Sequence, residues 1–221
     1  METDRFRIST LALCLGAVIA VESGARLGGI QGKAPHPMMV LGAMRLLQAG
    51  LIIMIVWIRE KGLASVGLSW KGLVPGLRKG FIWSAGFGLA VLLGGVLLYV
   101  IGVTPLSLIH TPLPARPGDI LLFFIVGGII GPVTEEILFR GVLYGFFRRW
   151  GGMAAILLST LAFVLVHLHL PVIPVTQIVG GLLFALAYEV EKNLMVPITL
   201  YSLGNMAIFG ISLMGGRFWI P

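Results

Sequence analysis

Cysteine and aspartate are nearly missing from this 221-residue sequence. The one cysteine, Cys14, lies inside an apolar run, which excludes an internal disulfide framework and a cysteine-based metal cluster. The two aspartates, Asp4 and Asp119, fall outside every apolar stretch, so a paired-aspartate mechanism inside a membrane is excluded as well. Charge of either sign is scarce, at 11% of residues against the quarter or so of a soluble domain. No His-Glu-x-x-His occurs, which removes the zinc-helix mechanism. Neither Gly-x-Ser-x-Gly nor Gly-x-Ser-Gly occurs, which removes the corresponding serine chemistry.

What is present in excess is apolar: 57% of residues are hydrophobic, and the mean hydropathy is +1.01. One compact core of this length has no use for that much apolar surface, so most of it must face lipid. The expected architecture is all-α, a polytopic membrane helical bundle forming one integral-membrane domain over residues 1–221, with no internal repeat. A soluble enzyme is excluded. The net charge of +7, from 16 Lys and Arg against 9 Asp and Glu, sits between apolar runs, and it reads as membrane topology rather than as affinity for nucleic acid.

Seven apolar stretches approach the ~20 helical residues that a span requires: 8–29, 38–58, 80–102, 120–147, 153–169, 173–189 and 194–214. The first follows Arg5 and Arg7 in the manner of a signal peptide, but the sequence starts at Met1 and the stretch is taken as a retained span. With the N-terminus inside, ten cations fall on the cytoplasmic side (Arg5, Arg7, Arg59, Lys61, Lys71, Arg78, Lys79, Arg148, Arg149, Lys192) and three outside (Lys33, Arg116, Arg217). This asymmetry predicts an integral protein of a prokaryotic cytoplasmic membrane with its C-terminus outside. Residues 61–79, interrupted by Lys and Gly and broken at Pro75, are expected as an interfacial amphipathic segment on the cytoplasmic side. The loop over 102–119, with four prolines, is expected to be extended.

Ionisable groups inside spans are costly and point to function. Glu22 and Arg26, spaced i, i+4, and Arg45 are open to two readings: structural ion pairing or snorkelling, and recognition of a substrate anchor. The dense cluster lies in the fourth stretch, Gly-Pro-Val-Thr-Glu-Glu from Gly131 onward. Pro132 and Thr134 suggest a helix broken and restarted there, with Thr134 as N-cap. Glu136 and Arg140 are i, i+4 partners; Glu135, about 100° round the axis, has no cation of its own and suits a general base acting on water. The fifth stretch supplies Phe163 and His167, followed by His169, and the seventh supplies Tyr201 and Asn205. Each has a structural reading, as a packing histidine and as interhelical hydrogen-bond glue. At ~1.5 Å rise per residue, Glu135 and His167 both lie roughly 20 Å from the cytoplasmic ends of their helices and Asn205 about 18 Å. Three helices thus bring a base, a proton carrier and an amide donor for an oxyanion to one level.

Glu135-Glu136-x-x-x-Arg140 with Phe139-Arg140-Gly141, then Phe163-x-x-x-His167, then Asn205 resembles the CAAX protease and bacteriocin-processing family of glutamic-type intramembrane endopeptidases. The resemblance covers residues 120–210, the expected catalytic core. It implies that Glu135 and His167 activate the hydrolytic water, that Asn205 helps bind the oxyanion, and that Glu136 and Arg140 form the supporting ion pair. The family's third motif usually reads His-x-x-x-Asn, whereas here it reads Tyr201-Ser-Leu-Gly-Asn205. Zinc sites want three protein ligands plus water, and Glu135 and His167 are two, with His169 facing nearly opposite along the helix. Metal-independent water activation is therefore expected, with no cofactor and with Tyr201 as a donor near the oxyanion; if a zinc ion were held, Glu135 and His167 would be its ligands. The implied partner is a membrane-anchored protein or peptide in the lipid bilayer. Removal of a C-terminal anchor or sorting signal, in the manner of exosortase- or myxosortase-like systems, fits a site in the outer half of the membrane. Prenylated CAAX tails and bacteriocin leaders are the alternative substrates, and a non-proteolytic immunity or scaffold protein of the same fold is the rival of another class.

Overall fold

The computed structural model describes residues 6–29, 36–103, 111–168 and 174–218. Among the described residues seven helices follow one another and no strand occurs: α1 Ile8–Leu27, α2 Pro37–Arg59, α3 Leu73–Val100, α4 Pro117–Trp150, α5 Gly152–Val166, α6 Val175–Glu191 and α7 Met195–Phe218. By length and composition α1, α2, α3, α4 and α7 are able to cross a membrane. The 15 residues of α5 and 17 of α6 are shorter, and at ~1.5 Å per residue fall below the ~30 Å hydrocarbon thickness. They pack against each other, α5 also against α4 and α6 against α7. On α3 the large residues Leu89, Leu92, Leu93, Val96, Leu97 and Val100 are all exposed. Such a stripe is a lipid-facing surface, because hydrocarbon leaves no unmet polar demand on a helix whose backbone bonds are internal. The chain is an integral membrane helical bundle.

The charges gather at one end. Glu60, at the end of α2, accepts from Thr10 at the start of α1, and Arg59 donates to Ser9. Arg148 pairs with Glu189, Lys79 with Glu191, and Arg149 donates to the Phe6 carbonyl. The N-terminal ends of α1, α3, α5 and α7 therefore share an end with the C-terminal ends of α2, α4 and α6, as an alternating seven-helix topology requires.

Two local expectations are corrected. Residues 61–79 form no single interfacial segment: they make two 3-10 turns, Ala64–Val66 and Trp70–Gly72, and then the first turns of α3. Pro75 does not break α3, because a first-turn residue has no intrahelical acceptor for the N–H that proline lacks. The turns are clamped to the α6–α7 junction, where Leu194 donates to the Gly67 carbonyl at 3.0 Å and Asn193 to that of Gly72 at 2.8 Å. Secondly, α4 runs continuously through Pro132, so Thr134 is no N-cap. The chain widens into π-helical turns at Val126–Ile130 and Ile137–Tyr144, and the first of them makes room for the proline ring just where an α-turn would clash. The buried Thr134 hydroxyl instead lies 2.8 Å from the Ile130 carbonyl and 3.0 Å from that of Arg45, stitching α4 to α2. The part of the loop at 104–110 lies outside the described residues, and Pro117–Asp119 already belong to α4.

Close approach of α3 and α7 depends on a missing side chain. A Cβ at Gly80 would lie 2.5 Å from the Cβ of Thr199, whereas one at Gly86 would meet nothing within 4 Å. Small residues at such crossings let helix backbones pack without a hydrophobic driving force. Gly80→Val is expected to destabilise the protein by about 1–3 kcal/mol and Gly86→Val by much less, as measured by thermal unfolding in detergent.

Candidate functional site

The two adjacent glutamates of α4 diverge around the helix into different environments. Glu136 points into the protein, fully buried, and its Oε1 accepts from Arg140 Nη1 at 2.6 Å. Arg140, equally buried, donates through Nη2 to the Gly181 carbonyl of α6 at 2.9 Å. Its guanidinium lies 4.8 Å from the ring centre of Phe163 and 5.4 Å from that of Phe184, so a salt bridge, a carbonyl and two aromatic faces stand in for part of its hydration, while Nε has no hydrogen-bond partner among the described residues. A Cβ at Gly181 would lie 3.0 Å from the Thr160 methyl, tighter than an ordinary contact, so the absent side chain eases the approach of α6 to α5.

Glu135 faces the other way. Its Oε2 accepts from the Tyr201 hydroxyl of α7 at 2.9 Å and lies 3.7 Å from His167 Nε2. His167 follows directly on Val166, the last residue of α5, rather than sitting inside a span that continues to 169. Its ring folds back so that Nδ1 is 2.8 Å from the Phe163 carbonyl. A carbonyl only accepts, so this contact assigns a proton to Nδ1, and in the neutral imidazole Nε2 is then the acceptor nitrogen on the side of Glu135. The Phe163 ring joins both halves of the arrangement, 4.5 Å from the imidazole and 5.9 Å from the Tyr201 ring, while Tyr201 stacks on Phe184 at 4.7 Å.

Glu135 and His167 line a cavity of about 320 Å³ between α1, α2, α4 and α5, a size that suits a small ligand or a short piece of chain. The cavity occupies the half of the bundle away from the clustered charges, since its other residues include Glu22 and Arg26 late in α1 and Arg45 and Gln48 early in α2.

Of the residues singled out from sequence, Glu135, His167, Tyr201 and Phe163 meet, and Glu136 with Arg140 stand directly behind them. Asn205, one turn beyond Tyr201, donates through Nδ2 to the Gly127 carbonyl in the first π-helical turn at 2.8 Å. His169 lies outside the described residues. No cluster of three or more His, Cys, Asp or Glu suited to a metal occurs among the described residues; among these, Glu135 and His167 are joined by a tyrosine hydroxyl, one ligand short of the three that zinc wants. Sequence reasoning missed the Gly181 carbonyl and Phe184, and nothing in residue type could have marked a backbone oxygen. It also treated the Glu22, Arg26 and Arg45 group separately, although the i, i+4 pairing expected of Glu22 and Arg26 gives way: Glu22 Oε1 is taken by Arg45 at 3.3 Å and Gln48 at 3.1 Å.

A helical membrane protein whose site joins a carboxylate, an imidazole and a phenol is the class defined by this geometry. Residues 117–207, which carry every one of those groups, match the model of the Type II CAAX prenyl endopeptidase Rce1-like family. The chain is 39% identical over 98 residues to the membrane-embedded CAAX protease MroQ of Staphylococcus aureus (strain USA300), an alignment covering 41% of this chain and 38% of that protein. It is 33% identical over 85 residues to YdiL of Bacillus subtilis (strain 168), whose membrane-peptidase name is itself provisional, covering 38% of this chain and 34% of YdiL. The chain thus spans little more than a third of the length of these curated relatives. No solved structure matches it.

Breaking the buried ion pair strands a charge, at a cost of ~3–5 kcal/mol. Arg140→Met is therefore expected to lower the unfolding temperature strongly, while Glu136→Gln with Arg140→Met restores part of the loss, as read in a double-mutant cycle of thermal unfolding.

Proposed function

We propose that this protein is an intramembrane endopeptidase in which Glu135 and His167 activate water. The observation that carries the reading is the 3.7 Å separation of Glu135 Oε2 and His167 Nε2 at the wall of the cavity. That spacing is too long for a direct hydrogen bond but lets both acceptors touch one water oxygen at ~2.8 Å. A water held so gives one hydrogen to each acceptor and turns a lone pair outward.

In the reaction, Glu135 takes the proton as the water oxygen bonds to the scissile carbonyl carbon, and returns it to the departing amine as the C–N bond breaks. His167 orients the water, held in its tautomer by the Phe163 carbonyl. Tyr201 donates to Glu135 and so fixes the carboxylate's orientation. Asn205 Nδ2 has two hydrogens, one committed to Gly127; the other is the donor we assign to the developing oxyanion. No metal takes part, because a third protein ligand is replaced by a phenol. Chelator that abolished cleavage, with zinc restoring it, would contradict this.

The substrate we favour is a protein carrying a C-terminal membrane anchor or sorting signal. The cation-rich end of the bundle belongs on the cytoplasmic side, which supports a cavity open to the outer half of the inner membrane, where the anchor of an exported protein lies.

Mapping protein C-termini by mass spectrometry in membranes expressing the wild type or Glu135→Ala is the direct test. Uncleaved anchors are expected to accumulate with Glu135→Ala, and identical termini in both would overturn the reading. Tyr201→Phe is expected to retain cleavage at a rate lower by ~10-fold or more, since only the orientation of Glu135 is lost.

A further inference from the structure

The cation-rich end of the bundle carries a second concavity, away from Glu135 and His167. It is a groove of about 420 Å³ on the surface of α3, lined by Val74, Pro75, Arg78, Lys79 and Ile82. Val74, Arg78 and Ile82 stand four residues apart and so share one face of the helix. Val74 is 74% exposed and Ile82 64%, and the apolar stripe from Leu89 to Val100 continues beyond them. A guanidinium is thus set between apolar residues on a lipid-facing helix.

The carboxylates nearby are already taken. Lys79 pairs with Glu191 of α6, whose Oε1 also accepts from Trp83 Nε1 at 3.1 Å, and Glu189 is held by Arg148 and Lys192. Arg78 is left exposed with neither an ion pair nor a hydrogen bond among the described residues, and so is Lys71 in the 3-10 turn before α3. Snorkelling to water accounts for a lone cation, but it asks for no groove beside it and no second unpaired cation one turn ahead of Val74. A guanidinium presents a planar fork of N–H donors that fits a phosphate in bidentate fashion, and a lysine adds a point charge. Trp70, 91% exposed just before Lys71, supplies the amphipathic ring that favours the level of lipid headgroups.

We propose that this groove is a binding site for one anionic phospholipid, with the phosphodiester on Arg78 and Lys71 and an acyl chain along Val74, Ile82 and the stripe beyond. A free phosphate would use the cations and leave the apolar wall bare, and a zwitterionic lipid would bring its own cation up against Arg78. The site is independent of the protease reading. It does bear on the same scaffold: Lys71 precedes Gly72, whose carbonyl accepts from Asn193 of the α6–α7 junction at 2.8 Å. Lipid bound there braces the clamp between α3 and the helix that carries Tyr201 and Asn205.

The test titrates the full chain in dodecyl maltoside with dioleoyl phosphatidylglycerol or dioleoyl phosphatidylcholine, followed by native mass spectrometry and thermal unfolding. One phosphatidylglycerol per chain is expected to be retained, with an apparent affinity roughly tenfold or more above that for phosphatidylcholine, and with a raised unfolding temperature. Arg78→Gln is expected to abolish the preference, Arg78→Lys to keep part of it and Lys71→Gln to weaken it. Lys61, an exposed cation outside the groove, serves as the control, and Lys61→Gln is expected to leave the preference intact. Equal retention of the two lipids, or a preference that survives Arg78→Gln, would overturn the proposal. So would an equal loss with Lys61→Gln, which would mean diffuse attraction to the whole cationic end, or the same stabilisation by inorganic phosphate alone.

Discussion

The rest of the site hangs on a buried ion pair inside a membrane helix. Two unpaired charges at the depth of Glu136 and Arg140 would each cost several kcal/mol. Their persistence without exposure requires every surrounding group to compensate: each other at 2.6 Å, the Gly181 carbonyl at 2.9 Å, and the faces of Phe163 and Phe184. Those demands fix α4, α5 and α6 relative to one another. A pair that tolerates little displacement is a firm base for chemistry one residue away.

That firmness is transmitted by Phe163. Its ring packs on Arg140, its carbonyl holds His167 Nδ1, and its edge meets Tyr201. Displacement of the guanidinium therefore disturbs the imidazole and the phenol together. The π-helical turns of α4 serve the same end. The one before Pro132 lets the helix pass the proline without breaking, and the one after Glu136 carries Arg140 toward α6. Such turns are uncommon and recur where a side chain must be aimed away from the regular helical lattice.

Much of this was legible in the sequence, and for a physical reason. Lipid punishes polar residues, so Glu135, Glu136, Arg140 and His167 stand out against an apolar background, and helical periodicity assigns Glu136 to Arg140. Apolar run length gave the seven helices, with their ends displaced by up to seven residues at α3, where Pro75 was misread as a breaker. The continuity of α4 was not legible, because a proline beside a threonine reads as a helix start unless the turn before it widens. The partner of Glu22 was also hidden: i, i+4 spacing favoured Arg26, but Arg45 and Gln48 from α2 won the carboxylate, a tertiary contact that no local pattern encodes. The direct bond from Tyr201 to Glu135 falls in the same category.

The central claim is a division of labour between neighbouring glutamates, chemistry at Glu135 and architecture at Glu136. Measuring both the unfolding temperature and the processing of an anchored substrate for Glu135→Gln and Glu136→Gln tests it most directly. The account predicts that Glu135→Gln abolishes processing with the unfolding temperature nearly unchanged, and that Glu136→Gln lowers the unfolding temperature by on the order of 10 °C. Processing that survives Glu135→Gln, or equal destabilisation by the two substitutions, would contradict it.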